Sequence, residues 1–184
     1  MRIIGGSRRG KKLYRPKGLS IRPTADRVRE SIFNIIHRQI TGASVLDLFA
    51  GTGAMGLEAL SRGATCAAFI DNHPAALALI EKNIEICKWR QQTKTIRWDI
   101  RQNLNCIKSP PVPYDLVFID PPYRLKIATT TLAHLNRAQV LTGSAIIIVE
   151  HARTDPINDD INAFILEDQR SYGKTLVSFL RYMV

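Results

Sequence analysis

Cysteine is scarce in this chain and long apolar runs are missing. Cys66, Cys87 and Cys106 are scattered over 184 residues, with no CxxC spacing and no histidine pattern nearby. That argues against a zinc site or a disulfide framework and fits a reducing, cytoplasmic setting. No apolar run approaches the roughly 18–20 residues of a membrane span, so no membrane association is expected. The opening MRIIGGSRRGKKL is too short in its apolar part for a signal peptide. His37, His73, His134 and His151 show neither a triad nor a metal spacing, so no metal is expected. Internal repeats and low-complexity tracts are also lacking. What remains is an ordinary globular composition, 45% apolar, at a length that suits one domain with a small extension.

Charge is where the chain departs from the ordinary. The net charge is +10, and residues 1–41 hold eleven Lys and Arg against only Asp26 and Glu30. The remaining residues are nearly balanced. A basic segment on a neutral body is the electrostatic mark of a polyanion binder. A membrane surface fits less well, because no amphipathic stripe with aromatic anchors accompanies the charge.

The basic segment reads as two short extended pieces around Gly5, Gly6 and Gly10, closed as a hairpin. A helix follows, with Thr24 as N-cap and Val28, Ile32, Ile35, Ile36 and Ile40 near one face. Arg22, Arg27, Arg29 and Arg38 are expected on the other sides. After Gly42 the texture changes to short apolar runs alternating with helical patterns: ASVLDLF, CAAFID, TKTIRW, YDLVFID and SAIIIVEH are five strands. Two more strands flank Tyr172–Gly173 as an antiparallel hairpin. The expected fold is α/β, a Rossmann-like and mostly parallel sheet with helices on both faces. The expected units are 1–41, a basic polyanion-binding extension, and 42–184, the α/β domain.

DLFAGTGAMG places Gly51, Gly53 and Gly56 as G-x-G-x-x-G between a strand and a helix. Asp71 follows Gly51 by 20 residues at the end of the next strand, where an acid can accept from ribose hydroxyls. NAD and S-adenosylmethionine fit this pattern equally. Asp47, four residues before Gly51, separates them. A carboxylate repels a pyrophosphate but attracts the ammonium and sulfonium of S-adenosylmethionine. Asp99, ending the third strand, is placed to accept from an adenine amino group.

VFIDPPY ends the fourth strand at Asp120. That strand should neighbour the first, bringing Asp120 to the switch point where ligands gather in open α/β sheets. An exocyclic amino group on a nucleobase is a poor nucleophile because its lone pair is delocalised. The Asp120 carboxylate and the Pro121 carbonyl can both accept from it and free that lone pair. Pro122 restricts Pro121 to extended conformations and so aims its carbonyl. Tyr123 offers a ring on which a base can stack, worth roughly 1–3 kcal/mol.

These motifs, with RIIGGSRRGKKL, RPTADRVRESIFNI, GLEALSRGA and the late YGKT, resemble the RsmD family of bacterial small-subunit ribosomal RNA guanine-N2 methyltransferases. The similarity runs from residue 2 to about residue 180. It implies a seven-stranded sheet and methyl transfer from S-adenosylmethionine to the N2 amino group of one guanine in 16S ribosomal RNA, within an assembling 30S particle. It implies Asp120, Pro121, Pro122 and Tyr123 at the guanine. It implies Asp47, Phe49, Gly51, Gly53, Asp71, Asn72, Asp99 and Ile100 around the cofactor. Arg2, Arg8, Arg9, Lys11, Lys12, Arg22, Arg27 and Arg29 would face RNA. RWDI stands where the family often has a glycine before the acid, and no glycine follows DPPYRLK closely. DNA adenine methyltransferases and glutamine methyltransferases share the core but usually have Asn at position 120, with a separate recognition region or a helical N-terminal domain. An RNA-binding module without catalysis would need neither Asp47 nor Asp120.

Overall fold

The computed structural model describes residues 1–16, 23–108, 110–122, 127–157 and 163–183. Seven strands form one sheet in the order β3-β2-β1-β4-β5-β7-β6. These are β1 (Ser44–Leu48), β2 (Cys66–Asp71), β3 (Thr93–Arg97), β4 (Tyr114–Ile119), β5 (Leu141–Ala152), β6 (Phe164–Tyr172) and β7 (Thr175–Tyr182). The first five are parallel, and β7 runs antiparallel to both β5 and β6. The helices are α1 (Pro23–Ile35), α2 (Ala54–Ser61), α3 (Pro74–Cys87) and α4 (Ile127–Ala138). None of the described helices is long and apolar enough to cross a membrane.

All five residues of β1 are buried, because the sheet is covered on both faces. Val45, Phe69, Leu116, Phe118 and Ile148 turn to the face packed by α1, α2 and α3. Leu46, Leu48, Val117, Ile119 and Ile147 turn to the other face, with Leu132 and Leu135 of α4. This period-two alternation across paired strands fixes which side chains share a face at the carboxyl ends of the strands.

The N-terminal extension packs into the first of these cores. Ile3, Leu13, Val28, Ile32, Phe33, Ile36 and Ile40 are buried in the same cluster as the sheet. Phe33 lies against Phe118 of β4, ring centroids 5.5 Å apart. The expected hairpin is reduced to one bridge, Arg2 to Lys12, closed over a short 3₁₀ turn at Gly6–Arg8. Thr24 falls inside α1, which starts at Pro23, and so is not its N-cap. Ile35 was placed on the buried face but is exposed. At about 100° per residue it sits roughly 100° round from Ile36, and Phe33 fills the inner face instead.

Three buried polar side chains seat the extension. Glu58 of α2 accepts the backbone N–H groups of Ile4 (2.7 Å) and Gly5 (2.8 Å) and pairs with Arg62 at 2.8 Å. Ser61 donates to the Gly5 carbonyl and accepts the Arg8 N–H. Asn83 of α3 accepts the Tyr14 N–H at 2.7 Å and donates to the carbonyls of Tyr14 and Thr52. Each is a polar group whose burial is offset by hydrogen bonds with backbone far away in sequence.

Candidate active site

A cavity of about 400 Å³ opens at the carboxyl ends of β1, β4 and β5. Its wall includes Asp47, Phe49 to Thr52, Met55, Asp120 and Glu150, together with Arg29 and Ile32 of α1. Parallel pairing explains the assembly. Asp47 is in register with Phe118 of β4, and Phe118 with Ile148 of β5. Asp120 and Glu150 lie two residues further along their strands. All three acids therefore rise from the same face of the sheet.

Asp47 is 3% exposed, and its Oδ2 accepts the Gly56 N–H at 2.9 Å. Burial pushes its carboxyl up to about 7; the Gly56 hydrogen bond opposes this and the nearby Asp71 charge adds to it. Asp120 is open to the cavity yet ringed by protein. Its carboxyl is raised by that desolvation first, then by the charges of Glu150 and Asp47. A cationic or hydrogen-bond-donating group beside these carboxyls would favour their ionised forms. Among the described residues no three His, Cys, Asp or Glu side chains are placed to hold a metal ion.

The loop from β1 to α2 is held in a special shape. Gly53, the N-cap of α2, has φ +74°, and Phe49 reaches φ 58° without being glycine. A non-glycine residue there costs roughly 1 kcal/mol. A Cβ on Gly56 would lie 2.4 Å from the Phe69 ring and 3.3 Å from Asp47 Oδ2. The third glycine is thus needed to seat α2 on β2 and bring its N–H to Asp47. Asp71 accepts the Gly51 N–H (2.9 Å) with one oxygen and the His73 N–H (2.8 Å) with the other, so it fastens the glycine loop to the start of α3.

The family model described as "Conserved hypothetical protein 95" matches residues 1–181. The chain is 39% identical over 150 residues to ribosomal RNA small subunit methyltransferase D of Escherichia coli, covering 82% of this chain and 74% of that one. The namesake from Haemophilus influenzae is 33% identical over 172 residues, 92% of this chain and 88% of that one. The solved structure of yhhF from Escherichia coli superposes with a TM-score of 0.87 at 33% identity, covering 100% of this chain and 98% of that one. This chain belongs to the ribosomal RNA small subunit methyltransferase D family.

Within this family member the expected site residues fall in different places. Asp47, Phe49, Gly51 and Asp120 line one cavity. Gly53 and Asp71 shape its loop from behind. Pro121 is buried and Pro122 exposed directly after β4. Tyr123 and Arg22 lie outside the described residues. Asn72 is exposed just beyond β2.

Arg29 sits differently from the expectation, and Asp99 and Ile100 lie outside the cavity lining. Asp99 is held by Arg101, with Nε at 2.8 Å and a terminal nitrogen at 2.7 Å, and this pairing lowers its carboxyl below the usual range. Ile100 is buried in the α4-side core, and its carbonyl meets His134 Nδ1 at 3.1 Å. Neither belongs to the cavity lining. Arg29 was expected to face RNA but is 6% exposed. It donates to the Arg2 carbonyl at 2.7 Å and pairs with Asp26 at 3.2 Å, with Glu58 Oε2 3.9 Å from its Nε. On a helical wheel it falls between Ile32 and Phe33, inside the buried arc. By contrast Arg2, Arg8, Arg9, Lys11, Lys12 and Arg27 are exposed. Glu150 was not foreseen. Its signal was present: IIIVE sets an acid directly after a buried apolar run, as LVFID does.

Proposed function

We propose that this protein transfers a methyl group from S-adenosylmethionine to the N2 amino group of a guanine in small-subunit ribosomal RNA. The observation that carries the reading is the shared cavity of Asp47 and Asp120, one against the glycine loop and one leading into Pro121–Pro122. A buried carboxylate with a raised pKa suits an ammonium or sulfonium partner, whose charge would restore its ionised form. The same carboxylate, beside Asp120 and Glu150, disfavours a dinucleotide. Family membership, and the ribosomal RNA named in its relatives, support the substrate class.

When bound, S-adenosylmethionine supplies a methyl carbon activated by sulfonium. Asp47 and the backbone of Phe49 to Thr52 would hold it, with Asp71 keeping the loop in shape. Asp120 and the Pro121 carbonyl accept the two amino hydrogens of the base and make the nitrogen lone pair available. As the nitrogen–carbon bond forms and the carbon–sulfur bond breaks, the Asp120 carboxylate stabilises the positive charge on nitrogen and receives its proton. Orientation and preorganised acceptors supply the catalysis. The exposed cations of residues 2–12, with Arg27, would face the RNA backbone. The guanine must be unstacked to enter, so a plain duplex is a poor substrate.

The test is incubation with methyl-labelled S-adenosylmethionine and, separately, small-subunit ribosomal RNA, assembling 30S particles, DNA and protein. Label in N2-methylguanosine from the ribosomal substrates is expected. Label in DNA adenine or in protein alone would overturn the reading.

A further inference from the structure

We propose that Glu150 selects guanine, its carboxylate accepting the ring N1–H while Asp120 holds the adjacent amino group. The inference rests on the guanine reading above and adds the residue that distinguishes guanine from the other bases. Ile119 pairs in parallel register with Val149, so Asp120 and Glu150 are the next residues along neighbouring strands. Side chains opposite each other in a parallel pair share a face, about 4.8 Å apart. Both line the cavity, and Glu150 reaches further by one methylene.

The chemistry of the bases gives this pair a meaning. An ionised carboxylate only accepts hydrogen bonds. Guanine alone among the four bases presents a ring N–H directly beside an exocyclic amino group. Adenine and cytosine place a bare ring nitrogen beside their amino groups, and a second carboxylate repels it. Uracil has the ring N–H but no amino group. Two neighbouring acids therefore form an acceptor pair that only guanine completes. The Glu150 charge already bears on Asp120, and two donors entering together would relieve that repulsion. A site whose polar groups are left unpaired by the wrong substrate discriminates far more strongly than an apolar pocket.

The experiment uses the full chain with Glu150→Gln and Glu150→Asp. The labelled guanosine is first mapped in ribosomal RNA. The RNA is then rebuilt with 2-aminopurine at that position, which keeps the amino group but lacks N1–H. Wild type should prefer guanine by about 10–100-fold in kcat/KM, the worth of one charge-assisted hydrogen bond. Glu150→Gln should lose about that factor on guanine and lose or invert the preference, since an amide N–H can donate to the bare N1. Glu150→Asp should restore part of the preference. Affinity for S-adenosylhomocysteine should match wild type in both. A Glu150→Gln enzyme that keeps the full guanine preference overturns the proposal. So does one that loses S-adenosylhomocysteine affinity with its preference intact, which would assign Glu150 to the methyl donor. Wild-type label found elsewhere than guanine N2 would instead overturn the parent reading.

Discussion

Replacing Asp47 by Asn removes a charge from the floor of the cavity while nearly preserving its shape, because the side-chain oxygen can still accept the Gly56 N–H. In the ligand-free protein the Asp47 carboxyl titrates near 7 instead of 3.8. Between those values the folded chain keeps a proton that the unfolded chain has released. Wild-type stability should therefore fall as pH rises through this window, and level off above it as far as this group is concerned. At about 1.4 kcal/mol per pH unit the rise amounts to about 4 kcal/mol, an upper limit for the gain of D47N at pH 8. Urea unfolding of both proteins at pH 4 and pH 8, without ligand, measures it. The two should nearly coincide at pH 4, and D47N should be the more stable at pH 8. Asp120 also titrates and loses the Asp47 charge in D47N, so the difference reports Asp47 together with its coupling to Asp120. Calorimetry at pH 8 should show S-adenosylhomocysteine binding weakened by two orders of magnitude or more, since its ammonium loses the paired carboxylate, on the order of 3 kcal/mol. Parallel pH profiles for the two proteins, or undiminished binding by D47N, would refute the reasoning.

Asp120→Ala should lower kcat by about 10²–10³-fold, as removal of one preorganised polar group does, while S-adenosylhomocysteine titrates as in wild type; equal loss of both would move Asp120 to the cofactor. Gly56→Ala should cost about 1–3 kcal/mol in urea unfolding, because the added methyl meets the Phe69 ring, and should weaken S-adenosylhomocysteine binding with it. Affinity for ribosomal RNA should fall a hundred- to a thousandfold between about 50 and 200 mM salt if the exposed Arg2, Arg8, Arg9, Lys11, Lys12 and Arg27 meet phosphates. A nearly flat salt response would remove them from the RNA surface.

The sheet was legible because strands buried on both faces read as short apolar runs closed by glycine or an acid. VFID and VLDL could be laid side by side from that pattern, and the cavity contains Asp47 and Asp120 together. What escaped depended on side-chain partners, some of them distant in sequence. Glu58 sits in AMGLEALS as an acid on a helix, and only its bonds to Ile4 and Gly5 reveal its task. Arg29 is one of many arginines in its segment, yet the helical wheel places it inward, where Asp26 and Glu58 face it. Asp99 was assigned by its place after β3. Its neighbour Arg101, two residues on, pairs with that carboxylate. His151, plain in the sequence, is buried and joined to Ser178 at 2.8 Å across the β5–β7 pair.

The seating of the extension has a consequence for biosynthesis. Ile4 finds its acceptor 54 residues downstream, and Tyr14 finds Asn83 69 residues downstream. During translation the positively charged start of the chain emerges first and has no dock until α2 and then α3 have been made. Until then its apolar anchors, Ile3 and Leu13, stay in water beside a nascent, RNA-rich surroundings. Full capture of the leading segment thus waits for α3, whose Asn83 amide donates to the carbonyls of both Tyr14 and Thr52 and ties that segment to the glycine loop.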